Sequence, residues 1–132
     1  MRRATAFIAV LVAGILIPAA GAGAATKTVG VFDDYFAPVT LKVKKNDKVN
    51  WKWDSMNTNT HNVVLTNNVK GVKRGCKTKG KDAYSPLISK CNKSEAGAAG
   101  IKFKKKMDKK GTYKFLCTFH PTVMSMTVKV GR

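Results

Sequence analysis

The chain contains few residues of the kinds that bind metals or form disulfides, with two histidines and three cysteines among 132 residues. It also lacks internal repeats, a long linker and any stretch of sustained helical periodicity. These absences exclude a repeat protein and a helical bundle. They indicate one domain, and the chain is long enough for that domain to bury a real core.

Apolar and polar residues alternate in short segments along most of the chain. Period-two alternation over five to seven residues, separated by turn sequences such as Lys109-Lys110-Gly111, predicts short strands rather than helices. The predicted strands are Thr28–Phe32, Val39–Val43, Val49–Trp53, His61–Leu65, Ile101–Lys105, Thr112–Cys117 and a last one with Met124, Met126, Val128 and Val130 on one face. This arrangement is typical of an all-β sandwich.

The chain opens with a basic and then apolar segment. Arg2 and Arg3 precede an apolar run to about Ala20, and Ala22-Gly23-Ala24 fits the A-x-A cleavage pattern of a secretory signal peptide. We expect residues 1–24 to be that signal peptide and residues 25–132 to be an exported domain, periplasmic or extracellular, without a transmembrane span after cleavage. A retained membrane anchor is the alternative, because about 17 apolar residues lie at the short edge of what spans a bilayer.

Three cysteines in an oxidising compartment leave one unpaired. Cys76 and Cys91 flank a polar stretch rich in Lys and Gly, and we predict a disulfide between them that closes a loop of roughly 16 residues. This bond would staple an insertion that covers about residues 67–99. Cys117 is then the free thiol, and metal ligation would protect it from oxidation. The alternative is that Cys76 and Cys91 stay reduced.

The free cysteine belongs to a short segment that is rich in metal ligands. Cys117, His120 and Met124 fall in a Cys-x₂-His-x₃-Met spacing, and the only other histidine, His61, begins an apolar run. One thiolate, two imidazoles and a weak axial thioether suit copper, whereas zinc prefers four strong ligands. Met126 shares a strand face with Met124, but Met124 lies where the loop rejoins the strand, and we predict that Met124 is the axial ligand.

Two segments of the chain resemble the cupredoxins, the small blue-copper family of plastocyanin, azurin, amicyanin and pseudoazurin. The first joins Val49–Trp53 to His61-Asn62-Val63, and the second runs from Gly111 through the Cys-His-Met segment to Val130. The resemblance implies a Greek-key β-sandwich with one type 1 copper ion on the four ligands named above. It also implies that Asn62 holds the ligand loop and tunes the Cys sulfur. The chain departs from many members at Met126, where they carry glycine.

Acidic residues are scarce, with 7 Asp and Glu against 25 Lys and Arg. Without the two arginines of the predicted leader the formal net charge is still +16. Such a field attracts acidic partners. The lysines alternate with apolar residues, which is typical of the solvent face of a sheet and not of a base-stacking platform. We therefore expect a monomer that meets an acidic redox protein or an anionic cell-surface component, and not nucleic acid.

The predicted site has no open coordination position and no evident general acid or base, so we do not expect an enzyme. The interpretation favoured by the sequence is an extracytoplasmic one-electron carrier. Two alternatives stay open: a protein that handles copper without redox shuttling, and a structural β-sandwich module. The first would favour Met- or His-rich tracts, which the sequence lacks, and the intact ligand set argues against the second.

Overall fold

The structure is a computed structural model that describes residues 23–72 and 92–132. These residues form strands, turns and bends without a helix, which confirms the all-β prediction. The strands are β1 (Thr26–Phe32), β2 (Tyr35–Ala37), β3 (Thr40–Lys44), β4 (Lys48–Trp53), β5 (Val64–Leu65), β6 (Lys102–Lys106), β7 (Gly111–Leu116) and β8 (Ser125–Gly131). Nearly all of the predicted signal peptide, and both Cys76 and Cys91, lie outside the described residues.

The strands form two sheets of four. The first sheet has the order β2-β1-β4-β6 and the second has the order β3-β8-β7-β5. Both sheets are mixed, because β1 runs parallel to β4 and β3 runs parallel to β8, whereas the other neighbours are antiparallel. The Greek-key connectivity implied by the resemblance stays a prediction. Within residues 23–72 and 92–132, no helix is long and apolar enough to cross a membrane.

The core lies between the sheets, where the alternating apolar residues of both meet. Trp51 of β4 packs against Phe115 of β7 with ring centroids 4.9 Å apart in an edge-on geometry, and this contact joins the two sheets. Its indole Nε1 donates a hydrogen bond to the sulfur of Met126 at 3.2 Å. Neighbouring residues of the opposite parity, such as Lys52 and Lys114, are exposed. The period-two pattern therefore predicted correctly which face of these strands is buried.

The segment around His61 differs from the predicted strand. Only Val64–Leu65 forms a strand there, and His61 instead makes an isolated antiparallel bridge with Gly97. The partners of this segment from the predicted insertion, Gly97 and Lys93, form only isolated bridges, and regular ladder pairing begins where β5 meets β7. Gly97, near the C-terminal end of the predicted insertion, thus pairs with His61, a predicted metal ligand.

Asp47 ties the chain together at the end of the sandwich where β4 begins. Its buried carboxylate accepts hydrogen bonds from the backbone N–H groups of Ala25 and Lys44, both at 2.8 Å. These backbone donors hold the pKa of Asp47 below its usual range. The carboxylate therefore anchors the start of β1 to the turn between β3 and β4, far along β4 from the segment that carries His61.

We predict that Asp47→Ala lowers the melting temperature of the apoprotein at pH 7 and that this difference shrinks in acid. Because the folded pKa lies below the unfolded value of about 3.9, the charged carboxylate stabilises the fold above that value. The contribution is lost as the pH falls through the folded pKa. Thermal unfolding followed by circular dichroism between pH 7 and pH 2 tests this, with the exposed Glu95→Gln as the control. An equal loss of melting temperature at every pH would contradict the ionic origin of the effect.

Candidate metal centre

Cys117 follows directly after β7, and its side chain is completely buried. The alternation of β7 directs Tyr113, Phe115 and Cys117 to the same inward face. The backbone N–H of Cys117 donates to the carbonyl oxygen of Met124 at 3.0 Å, which extends the pairing of β7 and β8 by one step beyond Leu116 and Ser125. The thiol is thereby fixed at one end of the core.

His120 lies in the tight loop between these strands. Its carbonyl oxygen accepts the N–H of Met124 at 2.9 Å, and its own N–H donates to the carbonyl of Cys117 at 3.3 Å. These bonds fold the loop back over the end of the sandwich. They bring His120 Nδ1 to 3.7 Å from Cys117 Sγ. The imidazole keeps 25% of its side-chain surface exposed.

His61 reaches the same end of the core from the segment between β4 and β5. Its backbone exchanges hydrogen bonds with Gly97 at 3.0 and 3.1 Å, and Trp53 Nε1 donates to the Gly97 carbonyl at 3.1 Å. The His61 side chain is fully buried, with Nδ1 3.9 Å from Cys117 Sγ. The donor atoms of His61, Cys117 and His120 all lie within 4.8 Å of one another.

These separations fit three ligands around one ion. With the bond lengths known for zinc, about 2.1 Å to nitrogen and 2.3 Å to sulfur, two such ligands that subtend about 120° at a metal ion lie about 3.8 Å apart. The two nitrogen–sulfur distances here are 3.7 and 3.9 Å. A soft thiolate with two imidazoles in a trigonal arrangement is the donor set of a blue-copper centre.

Asn62 connects the two segments that carry the donors. Its side chain exchanges two hydrogen bonds with Thr118, from Nδ2 to Thr118 Oγ1 and from Thr118 N–H to Asn62 Oδ1, both at 2.8 Å. Its backbone N–H points at Cys117 Sγ at 3.5 Å. Asn62 thus lies beside the thiol and ties the loop after Cys117 to the segment that carries His61.

The two methionines of β8 and its approach have different surroundings. Both are buried, but Met126 Sδ accepts the hydrogen bond of Trp51 Nε1. The backbone of Met124 pairs with that of Cys117, so the Met124 side chain leaves the backbone directly opposite the residue that carries the thiol. The sulfur of Met126 is therefore engaged in the core, one strand step below.

Two aspartates in the turn between β1 and β2 complete the surroundings of the imidazoles, and the sequence analysis missed both. Asp33 Oδ1 lies 2.8 Å from His61 Nε2, and this hydrogen bond, with others from Thr58 and Asn59, holds the pKa of Asp33 well below its usual range. Asp34 Oδ1 lies 3.7 Å from His120 Nε2. Only a pair of adjacent acids in an otherwise basic chain could have drawn attention to them.

Ser94 is a further residue that the sequence analysis did not identify. Its hydroxyl oxygen accepts the backbone N–H of Val63 at 2.8 Å, and its own N–H donates to the Val63 carbonyl. Together with Gly97 it holds the segment that contains His61. Nothing in the local sequence marks these two residues, because Gly97 acts through its backbone and Ser94 through its hydroxyl and backbone, toward a segment about 30 residues away.

Comparison with known proteins agrees with this geometry. Residues 26–131 match the family model described as copper binding proteins of the plastocyanin/azurin family. A search of curated protein sequences gives no significant match.

Solved structures show the same fold at low sequence identity. Amicyanin from Paracoccus versutus is 19% identical with a TM-score of 0.53, and the match covers 83% of each chain. A purple cupredoxin from Nitrosopumilus maritimus is 20% identical with a TM-score of 0.54, over 79% of this chain and 98% of that one. A copper-containing nitrite reductase from Thermus scotoductus is 17% identical with a TM-score of 0.53, over 80% of this chain but 22% of that one.

The family match spans almost the whole described domain, and the thiol and both imidazoles converge as a copper centre requires. The chain therefore belongs to the plastocyanin/azurin family of copper-binding proteins, the cupredoxins, and its cofactor is copper.

Proposed function

We propose that this protein is an exported one-electron carrier whose single type 1 copper ion is held by His61, Cys117, His120 and Met124. The observation that carries the proposal is the convergence of one buried thiol and two imidazole nitrogens within 4.8 Å. When bound, the copper supplies a one-electron couple between Cu(II) and Cu(I). The signal peptide predicted for residues 1–24 is the basis for proposing a periplasmic or extracellular location.

The chain's own hydrogen bonds hold the proposed ligands in place. Cys117 is fixed by its backbone bond to Met124, and His61 is fixed by its bonds to Gly97. Asn62 directs its N–H at the Cys117 sulfur, which withdraws electron density from the thiolate and tunes the potential. Ligands that are held by the protein move little when the oxidation state changes, so electron transfer needs little reorganisation.

His120 is the proposed route for the electron. It is the one donor of the three that is partly exposed, and its neighbours Phe119 and Val123 are exposed apolar residues. A partner could dock on these residues and bring its own redox centre close to the imidazole edge. The other two donors are shielded from solvent.

We assign Met124 as the axial ligand because the alternative sulfur already has a partner. Met126 Sδ accepts a hydrogen bond from Trp51, and its side chain belongs to the core below the site. Met124 has the same inward parity and pairs with Cys117. An axial thioether on a His₂Cys plane is the usual ligand set of blue-copper electron-transfer sites.

Acidic redox proteins are the proposed partners. On the exposed face of the first sheet Lys48 lies directly opposite Lys106, and Lys52 lies opposite Lys102. Within the described part of the chain, no carboxylate lies within 4.0 Å of these four side chains. Like charges in register weaken a sheet, so this uncompensated strip favours a role in attracting anions.

The first prediction from the proposed function concerns the Cys117 thiol. Cys117→Ser should abolish the intense visible band of the copper(II) protein, because the thiolate–copper bond is the chromophore. The far-ultraviolet circular dichroism of the variant should stay that of a β protein, since the hydroxyl is nearly isosteric. A variant that keeps the band contradicts the site. A copper-handling protein without redox shuttling would instead bind Cu(I) and stay colourless in the wild type.

The second prediction separates the two methionines. Met124→Leu should retain copper and colour but raise the reduction potential, because it removes a donor that favours Cu(II). Met126→Leu should leave the potential nearly unchanged and lower the free energy of unfolding by about 1–2 kcal/mol, because it leaves the buried Trp51 N–H without an acceptor. Voltammetry and denaturant unfolding of both variants measure this. The opposite pattern would identify Met126 as the ligand.

The third prediction is electrostatic. The rate of electron exchange with an acidic soluble haem protein should fall steeply as salt rises, because the Debye length shrinks from about 30 Å at 0.01 M to about 8 Å at 0.15 M. Exchange with a neutral small-molecule oxidant is the control and should change little. Stopped-flow rates over this range provide the test, and a flat dependence with the acidic partner would exclude steering by the lysines.

A further inference from the structure

We propose that Asp33 is a positioning residue of the copper centre, which fixes the tautomer of His61 and biases the site toward Cu(II). The inference rests on the proposed ligand set. It comes from one contact, in which Asp33 Oδ1 lies 2.8 Å from Nε2 of the fully buried His61. The family match and the ligand spacing do not assign this residue a role.

The geometry determines where the proton of His61 must be. Nδ1 faces Cys117 Sγ at 3.9 Å, so it must present its lone pair to the metal. Nε2 then carries the hydrogen and donates it to Asp33. A buried N–H without an acceptor is costly, so this hydrogen bond also keeps the ring in the orientation that the metal requires. The carboxylate makes the imidazole a stronger donor, which stabilises Cu(II) more than Cu(I).

The other contacts of Asp33 explain why the residue is a carboxylate. Oδ1 also accepts the N–H of Asn59 at 3.1 Å, and Oδ2 accepts both the N–H and the hydroxyl of Thr58 at 2.9 Å. Four donors therefore converge on one side chain. An asparagine could offer only one acceptor oxygen, and its NH₂ group would face donors.

The neighbouring aspartate provides a matched control. Asp34 carries the same charge in the same turn, but it is 60% exposed and its Oδ1 lies 3.7 Å from His120 Nε2, beyond hydrogen-bond distance. Its backbone has a φ of 67°, a left-handed conformation that asparagine tolerates well. Asp34→Asn therefore removes one negative charge near the site without removing a hydrogen bond to an imidazole.

The test compares Asp33→Asn, Asp34→Asn and Thr58→Val as copper-loaded proteins. Loss of such an outer partner typically costs 10- to 100-fold in metal affinity. We expect Asp33→Asn to weaken Cu(II) binding about tenfold or more relative to Cu(I), and each tenfold raises the one-electron potential by about 59 mV. Asp34→Asn and Thr58→Val should shift the potential much less. Thr58→Val removes a hydrogen bond of Asp33 but leaves its carboxylate on His61.

Two results would overturn the proposal while leaving the copper site intact. One is a potential in Asp33→Asn that moves no more than in Asp34→Asn. The other is a Thr58→Val shift as large as that of Asp33→Asn, which would mean that Asp33 only anchors the loop. A wild-type protein that forms no thiolate–copper band would instead overturn the ligand set and this inference together.

A measurement on the wild type keeps the proposal testable if Asp33→Asn does not fold. Nitrogen-15 NMR of the diamagnetic Cu(I) protein reports the tautomer of each histidine. We expect His61 to carry a slowly exchanging Nε2–H with the downfield shift of a strong hydrogen bond, and the more exposed His120 to exchange faster. A His61 Nε2–H that exchanges as fast as that of His120 would contradict the proposal.

Discussion

The copper centre depends on the antiparallel pairing of β7 and β8. The last hydrogen bond of this pairing joins Cys117 to Met124 and is continuous with the ladder below it. Because side chains alternate with period two, a slip of one residue would turn Cys117 out of the core. The register is secured two residues further into the core. There, Phe115 and Met126 lie directly opposite each other, and both contact Trp51 of the other sheet. The core thus sets the position of the thiol.

The donors that come from elsewhere are fixed by polar contacts and not by the ladder. His61 is held through its backbone by Gly97 and through its ring by Asp33. Asn62 and Thr118 then connect this segment to the loop that carries His120. Each of these bonds satisfies a buried group, so the surroundings of the imidazoles are arranged by the protein itself. Such an arrangement is what a rigid metal centre requires.

Acidic and basic residues have different roles in this molecule. The chain has only 7 acidic residues against 25 basic ones, yet Asp33 and Asp47 each accept several hydrogen bonds at defined points of the fold. The scarce carboxylates therefore organise local structure, one at each end of the sandwich. The lysines occupy the solvent faces of the strands and give the molecule its field. Structure and long-range attraction are thus divided between residues of opposite charge.

The sequence by itself determined the all-β class, the buried face of most strands, and the Cys-x₂-His-x₃-Met spacing that resembles the cupredoxins. These follow from local periodicity and local spacing, which a single chain displays. Only the tertiary structure decided that His61 lies on an irregular segment beside Gly97, that Trp51 engages the Met126 sulfur, and that Asp33 meets His61. Those partners lie between 28 and 75 residues apart. A periodic pattern shows which face a residue occupies, but it does not show which distant residue will lie against it.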